Sequence, residues 1–129
     1  MDTTKTIYIV DDDEDDMLVI REAIADLNLT ANVYFAYNGS QLLEMLSKEV
    51  ENGLILVDMN MPGMNGIEIL QTVYANPDFK HLRSILTSTS SSTELKQRAL
   101  ESGAMQFICK PSKYDGYIKL MNDIFYKCF

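Results

Sequence analysis

Residues 53–57 read Gly-Leu-Ile-Leu-Val, and nothing polar interrupts them before Asp58. A strand with one face in solvent alternates polar and apolar residues, so a segment this uniformly apolar belongs inside a sheet covered on both faces. Four more short runs of strand type stand along the chain: KTIYIV at 5–10, VYFAY at 33–37, RSILTS at 83–88 and MQFIC at 105–109.

Between these runs the apolar period changes from strand-like to helical. Met17, Ile20, Ile24 and Leu27 recur at spacings of three and four, as do Leu42 or Leu43 with Leu46 and Val50, and Ile67 with Leu70 and Val73. In the last helix Ile118, Met121, Ile124 and Phe125 form the core-facing set, with Tyr117, Tyr126 and Phe129 along an apolar edge. Strands alternating with helices imply an α/β fold, a doubly wound parallel sheet whose right-handed crossovers place helices on both faces.

Helix boundaries follow from side chains that satisfy the unpaired amides of a first turn. Asn38 with Gln41, Asn65 with Glu68, Ser91 with Glu94 and Ser112 with Asp115 read as capping pairs. Gly53 and Gly103 sit where helices should stop in a left-handed cap, and Pro77 ends the third helix.

The 129 residues, 47% hydrophobic and 23% charged, suit one domain spanning 1–129 around one core, with no separate output domain expected. Six of the nineteen acids lie within residues 11–16, so most of the net charge of −8 is one local object. Without a cluster of Lys or Arg, contacts with nucleic acid or an anionic membrane surface are not expected. No apolar run approaches the ~20 residues that cross a bilayer, and MDTTKTIY is not a secretion leader, so the cytoplasm is the expected compartment. Cys109 and Cys128 have no zinc-ligand spacing and read as reduced thiols.

Open parallel sheets bind ligands beyond the carboxyl ends of their strands, where the winding reverses. Asp11, Asp12 and Asp13 end the first strand and Asp58 ends the third, so neighbouring strands would bring the carboxylates together. Close carboxylates stay ionised only beside a compensating cation or shared proton. Mg²⁺ is the natural occupant, since it takes one or two carboxylates, keeps waters and accepts phosphate oxygens.

A carboxylate can itself attack phosphorus to give an aspartyl phosphate, and Asp58, alone in an apolar stretch, is the candidate nucleophile. The loop DMNMPGMNG at 58–66, shaped by Pro62, Gly63 and Gly66, leaves backbone carbonyls near it for the metal. Ser88 and Lys110 end the fourth and fifth strands, where donors for a phosphoryl group are needed.

Taken in order, VDD at 10–12, DMNMPGMNG at 58–66, a hydroxyl residue ending the fourth strand and CKP at 109–111 are highly specific together. The chain resembles the receiver domain of two-component response regulators nearly end to end. The resemblance extends to stand-alone, chemotaxis-regulator-like receivers and to those partnering phytochrome-type or hybrid kinases, through NPDFKHLRSI at 76–85 and TSTSS.

It implies a flavodoxin-like (βα)5 fold with strand order 2-1-3-4-5. Asp58 is then the phosphoacceptor, with Mg²⁺ held by Asp12, Asp58 and the backbone carbonyl of Asn60, and Asp11 assisting through water. Lys110 contacts the phosphoryl oxygens, Ser88 is the switch hydroxyl and Phe107 the aromatic that responds. A cis peptide is implied between Lys110 and Pro111. Counting thirty residues on from Asp58 reaches Ser88, and the interval of twenty-two residues from Ser88 to Lys110, usual in the family, favours Ser88 over the adjacent Thr87.

The expected function is phosphorelay signalling. A sensor histidine kinase or hybrid kinase phosphorylates Asp58, and a downstream protein meets the face formed by helix 4, strand 5 and helix 5, a face that also suits a homodimer. Such a protein is not an enzyme beyond weak self-catalysed phosphorylation and dephosphorylation. The alternative is a Mg²⁺-dependent phosphohydrolase with an aspartyl-phosphate intermediate, which would want an acid two residues after Asp58, where Asn60 stands. Asp13 to Asp16 read as a solvated helix start, His81 as a surface residue, and Met59, Met61 and Met64 as loop packing.

Overall fold

The five apolar runs become the five strands of one parallel sheet. The computed structural model describes residues 5–61 and 63–129, so Pro62, expected to shape the loop after Asp58, lies outside the described residues. The first half contains β1 (Thr6–Val10), α1 (Glu14–Asp26), β2 (Asn32–Ala36), α2 (Gly39–Met45) and β3 (Gly53–Asp58). The second contains α3 (Gly66–Ala75), a 3₁₀ turn (Pro77–Phe79), β4 (Arg83–Ser88), α4 (Thr93–Glu101), β5 (Gln106–Cys109) and α5 (Tyr114–Lys127).

The strands lie in the expected order β2-β1-β3-β4-β5, and every neighbouring pair is parallel. β3 occupies the middle with all its residues buried, the position its unbroken apolar sequence demands. Alternate side chains go to opposite faces. Ile7, Ile9, Leu54, Leu56 and Ile85 meet α1 and α5 on one face, while Tyr8, Val10, Ile55, Val57 and Leu86 meet α2, α3 and α4 on the other. Burying each large aliphatic side chain contributes about 1.5–3 kcal/mol, so both helical layers are fastened mainly by these contacts.

Several local expectations need correction. The second helix stops at Met45 and does not continue to Val50. Leu46 turns extended but stays buried, and Ser47 accepts bonds from Glu49 N and Val50 N that hold a turn in place of another helical one. Gly53 is therefore a strand residue, not a helix stop. The cap of α4 is Ser92, whose hydroxyl accepts from Leu95 N, rather than Ser91. The N-cap of α5 is Lys113, which makes no side-chain cap bond, so the Ser112–Asp115 pair does not form.

Other signals were sound. Asn38 caps α2, and Asn65 and Glu68 form a reciprocal capping box on α3. Pro77 opens the 3₁₀ turn immediately after α3. Gly103 has φ +105°, and a Cβ there would also meet the Tyr74 ring at 2.9 Å, so glycine is required on two counts.

The Lys110–Pro111 bond corrects the resemblance, because the described residues contain no cis peptide. Trans is the lower-energy form even before proline, and the lysine is aimed by other means. Its amide donates to Ser88 O at 2.7 Å, continuing the β4–β5 ladder by one bond, and its side chain is held by carboxylates.

Candidate functional site

Parallel pairing of β1 with β3 sets Val10 beside Val57, so the residues that follow, Asp11 and Asp58, emerge side by side at the carboxyl edge. Asp11 N donates to Ala36 O at 3.1 Å, which keeps the chain straight for one more residue. Asp11 and Asp58 are 4% and 5% exposed, whereas Asp12 faces solvent. One oxygen from each of the three carboxylates lies within 4.8 Å of the other two.

Each buried carboxylate is fixed by the backbone that follows it. Asp11 Oδ1 accepts from Asp13 N at 2.9 Å, and Asp58 Oδ1 from Asn60 N at 3.3 Å. The loop after Asp58 is held close by Gly66 N donating to Met59 O at 3.1 Å. A Cβ on Gly66 would stand 2.7 Å from the Asp58 carbonyl oxygen, so α3 can start this near the site only with glycine there.

Lys110 crosses from the end of β5 into this group. Its ammonium lies 2.6 Å from Asp16 Oδ2, 3.0 Å from Asp11 Oδ2 and 3.4 Å from Asp58 Oδ2. One cation thus serves three acids. Burial, and after it the Asp11 carboxylate, push the Asp58 carboxyl up to about 6. Burial raises Asp11 too, against the opposing pull of Asp13 N–H and Lys110. For Lys110 burial disfavours the charge, but the bonds to Asp16 and Asp11 outweigh it and hold the ammonium above its usual range.

Ser88 is fully buried, and its hydroxyl accepts from Ser90 N at 3.0 Å and from Asn60 Nδ2 at 3.4 Å. Ser88 therefore faces the loop after Asp58. Thr87, one residue earlier, pairs with Asp58 and Ile108 on the ladders and points to the opposite face. Phe107 is half-buried against the core under α2, α3 and α4.

Asp16 was missed. As part of a solvated helix start it should have faced water, yet it makes the shortest contact to Lys110. Asp13 is the actual cap, accepting from Asp15 N and Asp16 N, and Glu14 and Asp15 are exposed. A signal did exist. Asp16 precedes the buried Ile20 by four residues and Ala23 by seven, so the helical period puts it above the inward stripe. Tyr117, also placed at an apolar edge, is buried, and its hydroxyl donates to Asp16 Oδ1 at 3.4 Å. Burial first, then the Asp16 charge, push this phenol up to about 12.

The donor chemistry fits a hard divalent cation. Three carboxylates converge, two of them buried and reluctant to ionise together, and a single ammonium neutralises them only in part. Remaining candidates stay structural. His81 is exposed with a ring nitrogen 2.7 Å from Val50 O, Met59 and Met61 are core residues, and neither cysteine is in a disulfide. Among the described residues no helix is long and apolar enough to cross a membrane.

Comparison with known proteins agrees with this geometry. Residues 7–122 match the family described as "Response regulator receiver domain". The chain is 31% identical over 105 residues to a probable chemotaxis protein CheY of Rhizobium etli, covering 81% of this chain and 80% of that protein. The crystal structure of the phosphorylated cyanobacterial phytochrome response regulator RcpA superposes with a TM-score of 0.82 at 22% identity, covering 98% of this chain and 97% of that one. The Mn(2+)-bound form of response regulator Rcp1 superposes with a TM-score of 0.78 at 22% identity, covering 93% and 91%. At such identities the structural likeness speaks for the fold.

Proposed function

The chain belongs to the response regulator receiver family, and we propose that Asp58 is the residue on which it accepts a phosphoryl group from a histidine kinase, with Mg²⁺ held by Asp11, Asp12, Asp58 and the backbone carbonyl of Asn60. Receivers are signalling proteins, not enzymes with a separate substrate, although they promote loss of their own phosphoryl group. The observation that carries the assignment is the convergence of the Asp11, Asp12 and Asp58 carboxylates at the carboxyl edge of the sheet, two of them paired with Lys110.

In the transfer an Asp58 carboxylate oxygen attacks phosphorus while the bond from phosphorus to the kinase histidine nitrogen breaks, and the imidazole leaves with that electron pair. Bound Mg²⁺ supplies charge for the phosphoryl oxygens. Asn60 N holds Asp58 Oδ1, which leaves Oδ2 as the nucleophile. Lys110, already 3.4 Å from that oxygen, donates to the incoming phosphoryl group.

Ser88 then exchanges its bonds with Asn60 and Ser90 for one to the phosphoryl group. Phe107, on the adjacent strand and the same face as Leu86, follows that movement. The surface so altered is the face of α4, β5 and α5, where Leu100 and Met105 are exposed, and a downstream protein or a second copy reads it.

The test is intact mass after incubation with Mg²⁺ and acetyl phosphate, with and without EDTA. Addition of one phosphoryl group, dependent on Mg²⁺ and absent in Asp58→Asn, is expected. No added mass, or rapid turnover of ordinary phosphate monoesters, contradicts the reading.

A further inference from the structure

We propose that Asp16 is a positioning residue that competes with a phosphoryl group on Asp58 for the Lys110 ammonium, and so lowers the phosphorylated fraction of the protein. This rests on Asp58 being the phosphoacceptor.

Three features lead to it. Lys110 has three N–H donors; its ammonium is hydrogen-bonded to Asp16 at 2.6 Å and to Asp11 at 3.0 Å and paired with Asp58 at 3.4 Å. The shortest contact goes to the one acid outside the converging triad of Asp11, Asp12 and Asp58. Asp16 is also available for this role through a vacancy in the usual capping pattern. An acid three residues after a cap commonly reaches back to the cap's own amide, but Asp13 N already donates to Asp11 Oδ1 at 2.9 Å. Finally, Asp16 is tethered at its other oxygen by the Tyr117 hydroxyl of α5, so it does not simply swing into solvent with α1.

A phosphoryl group on Asp58 brings three strong acceptor oxygens and about −1.5 to −2 charge. Each Lys110 donor turned toward it is withdrawn from a carboxylate. Asp58 ceases to compete once it is phosphorylated, and Asp11 belongs to the cation cluster, which leaves Asp16 as the competing anchor. Its negative charge, one lysine away, also opposes the charge that arrives. Both effects have the same sign, so removing the Asp16 charge favours the phosphorylated form.

Asp16→Asn keeps the shape and the oxygen facing Tyr117 while removing the charge. At a fixed, subsaturating concentration of acetyl phosphate with Mg²⁺, its ratio of phosphorylated to unphosphorylated protein by intact mass should rise about fivefold, the scale of a partly exposed ion pair. Asp16→Ser, also uncharged, should follow it. Asp16→Glu retains the charge and should return toward the wild-type ratio, a rescue that loss of packing would not show. An unchanged or lower ratio in both uncharged variants, with wild-type protein phosphorylated on Asp58, overturns the role of Asp16 alone. Equal rises in Asn, Ser and Glu variants overturn it as well. Wild-type protein that gains no phosphoryl mass overturns the receiver reading beneath it.

Discussion

Asp12→Ala should slow Mg²⁺-dependent phosphorylation by acetyl phosphate roughly a hundredfold, because a metal at a phosphoryl-transfer site supplies several kcal/mol of charge stabilisation. Asp12 is the exposed member of the triad, so its loss opens no core cavity and should leave the fold intact. The control is Asp15→Ala, three residues further along the same acidic run. Asp15 is exposed and contributes only its backbone amide to the Asp13 cap, and its removal should leave the rate essentially unchanged. Initial rates of phosphoryl mass gain measure both. Equal losses would mean that the run acts through its summed charge, not through a defined cation site.

Asp58→Asn should make the metal-free protein more stable at neutral pH, by about 2–3 kcal/mol, although it removes the residue on which the chemistry depends. Burial, followed by Asp11, lifts the Asp58 carboxyl to about 6, well above its value in an unfolded chain. For an acid raised in this way, the associated stability is fully present below the unfolded pKa and is lost as the pH rises through about 6. Each unit of displacement corresponds to about 1.4 kcal/mol, which sets the expected size. Urea unfolding in EDTA should therefore separate the two proteins at about pH 7 and bring them together at about pH 4. Added Mg²⁺ should stabilise wild-type protein more than the variant, since binding to the folded state compensates the same charges. An Asp58→Asn protein less stable than wild type at neutral pH would contradict the strained carboxylate cluster.

These two substitutions act on residues visible in the sequence, and the reason is regularity. GLILVD could only be a central strand, and it placed Asp58 at the carboxyl edge. KTIYIV placed Asp11 and Asp12 at the neighbouring edge once the strand order was known. Asp16 was less legible because composition favours solvating an acid in a run of acids, whereas its position depends on helical phase and on a lysine 94 residues away.

Local competition explains the shorter second helix. Ser47 satisfies backbone amides that a longer helix would have used. The start of α5 follows the chain's exit from β5 rather than a polar side chain, so Ser112 had no signal to give. At Pro111 the resemblance suggested cis, but the lysine before it reaches the carboxylates from a trans bond.

The identity of the phosphorylated residue can be read directly. Borohydride reduces an acyl phosphate to an alcohol, so an aspartyl phosphate becomes homoserine. Protein treated with Mg²⁺ and acetyl phosphate, then reduced, digested and sequenced by mass spectrometry, should carry homoserine at residue 58 and nowhere else, and only when Mg²⁺ is present. Homoserine at another aspartate, or a borohydride-resistant phosphate ester on Ser88 or a neighbouring hydroxyl, would contradict Asp58 as the phosphoacceptor.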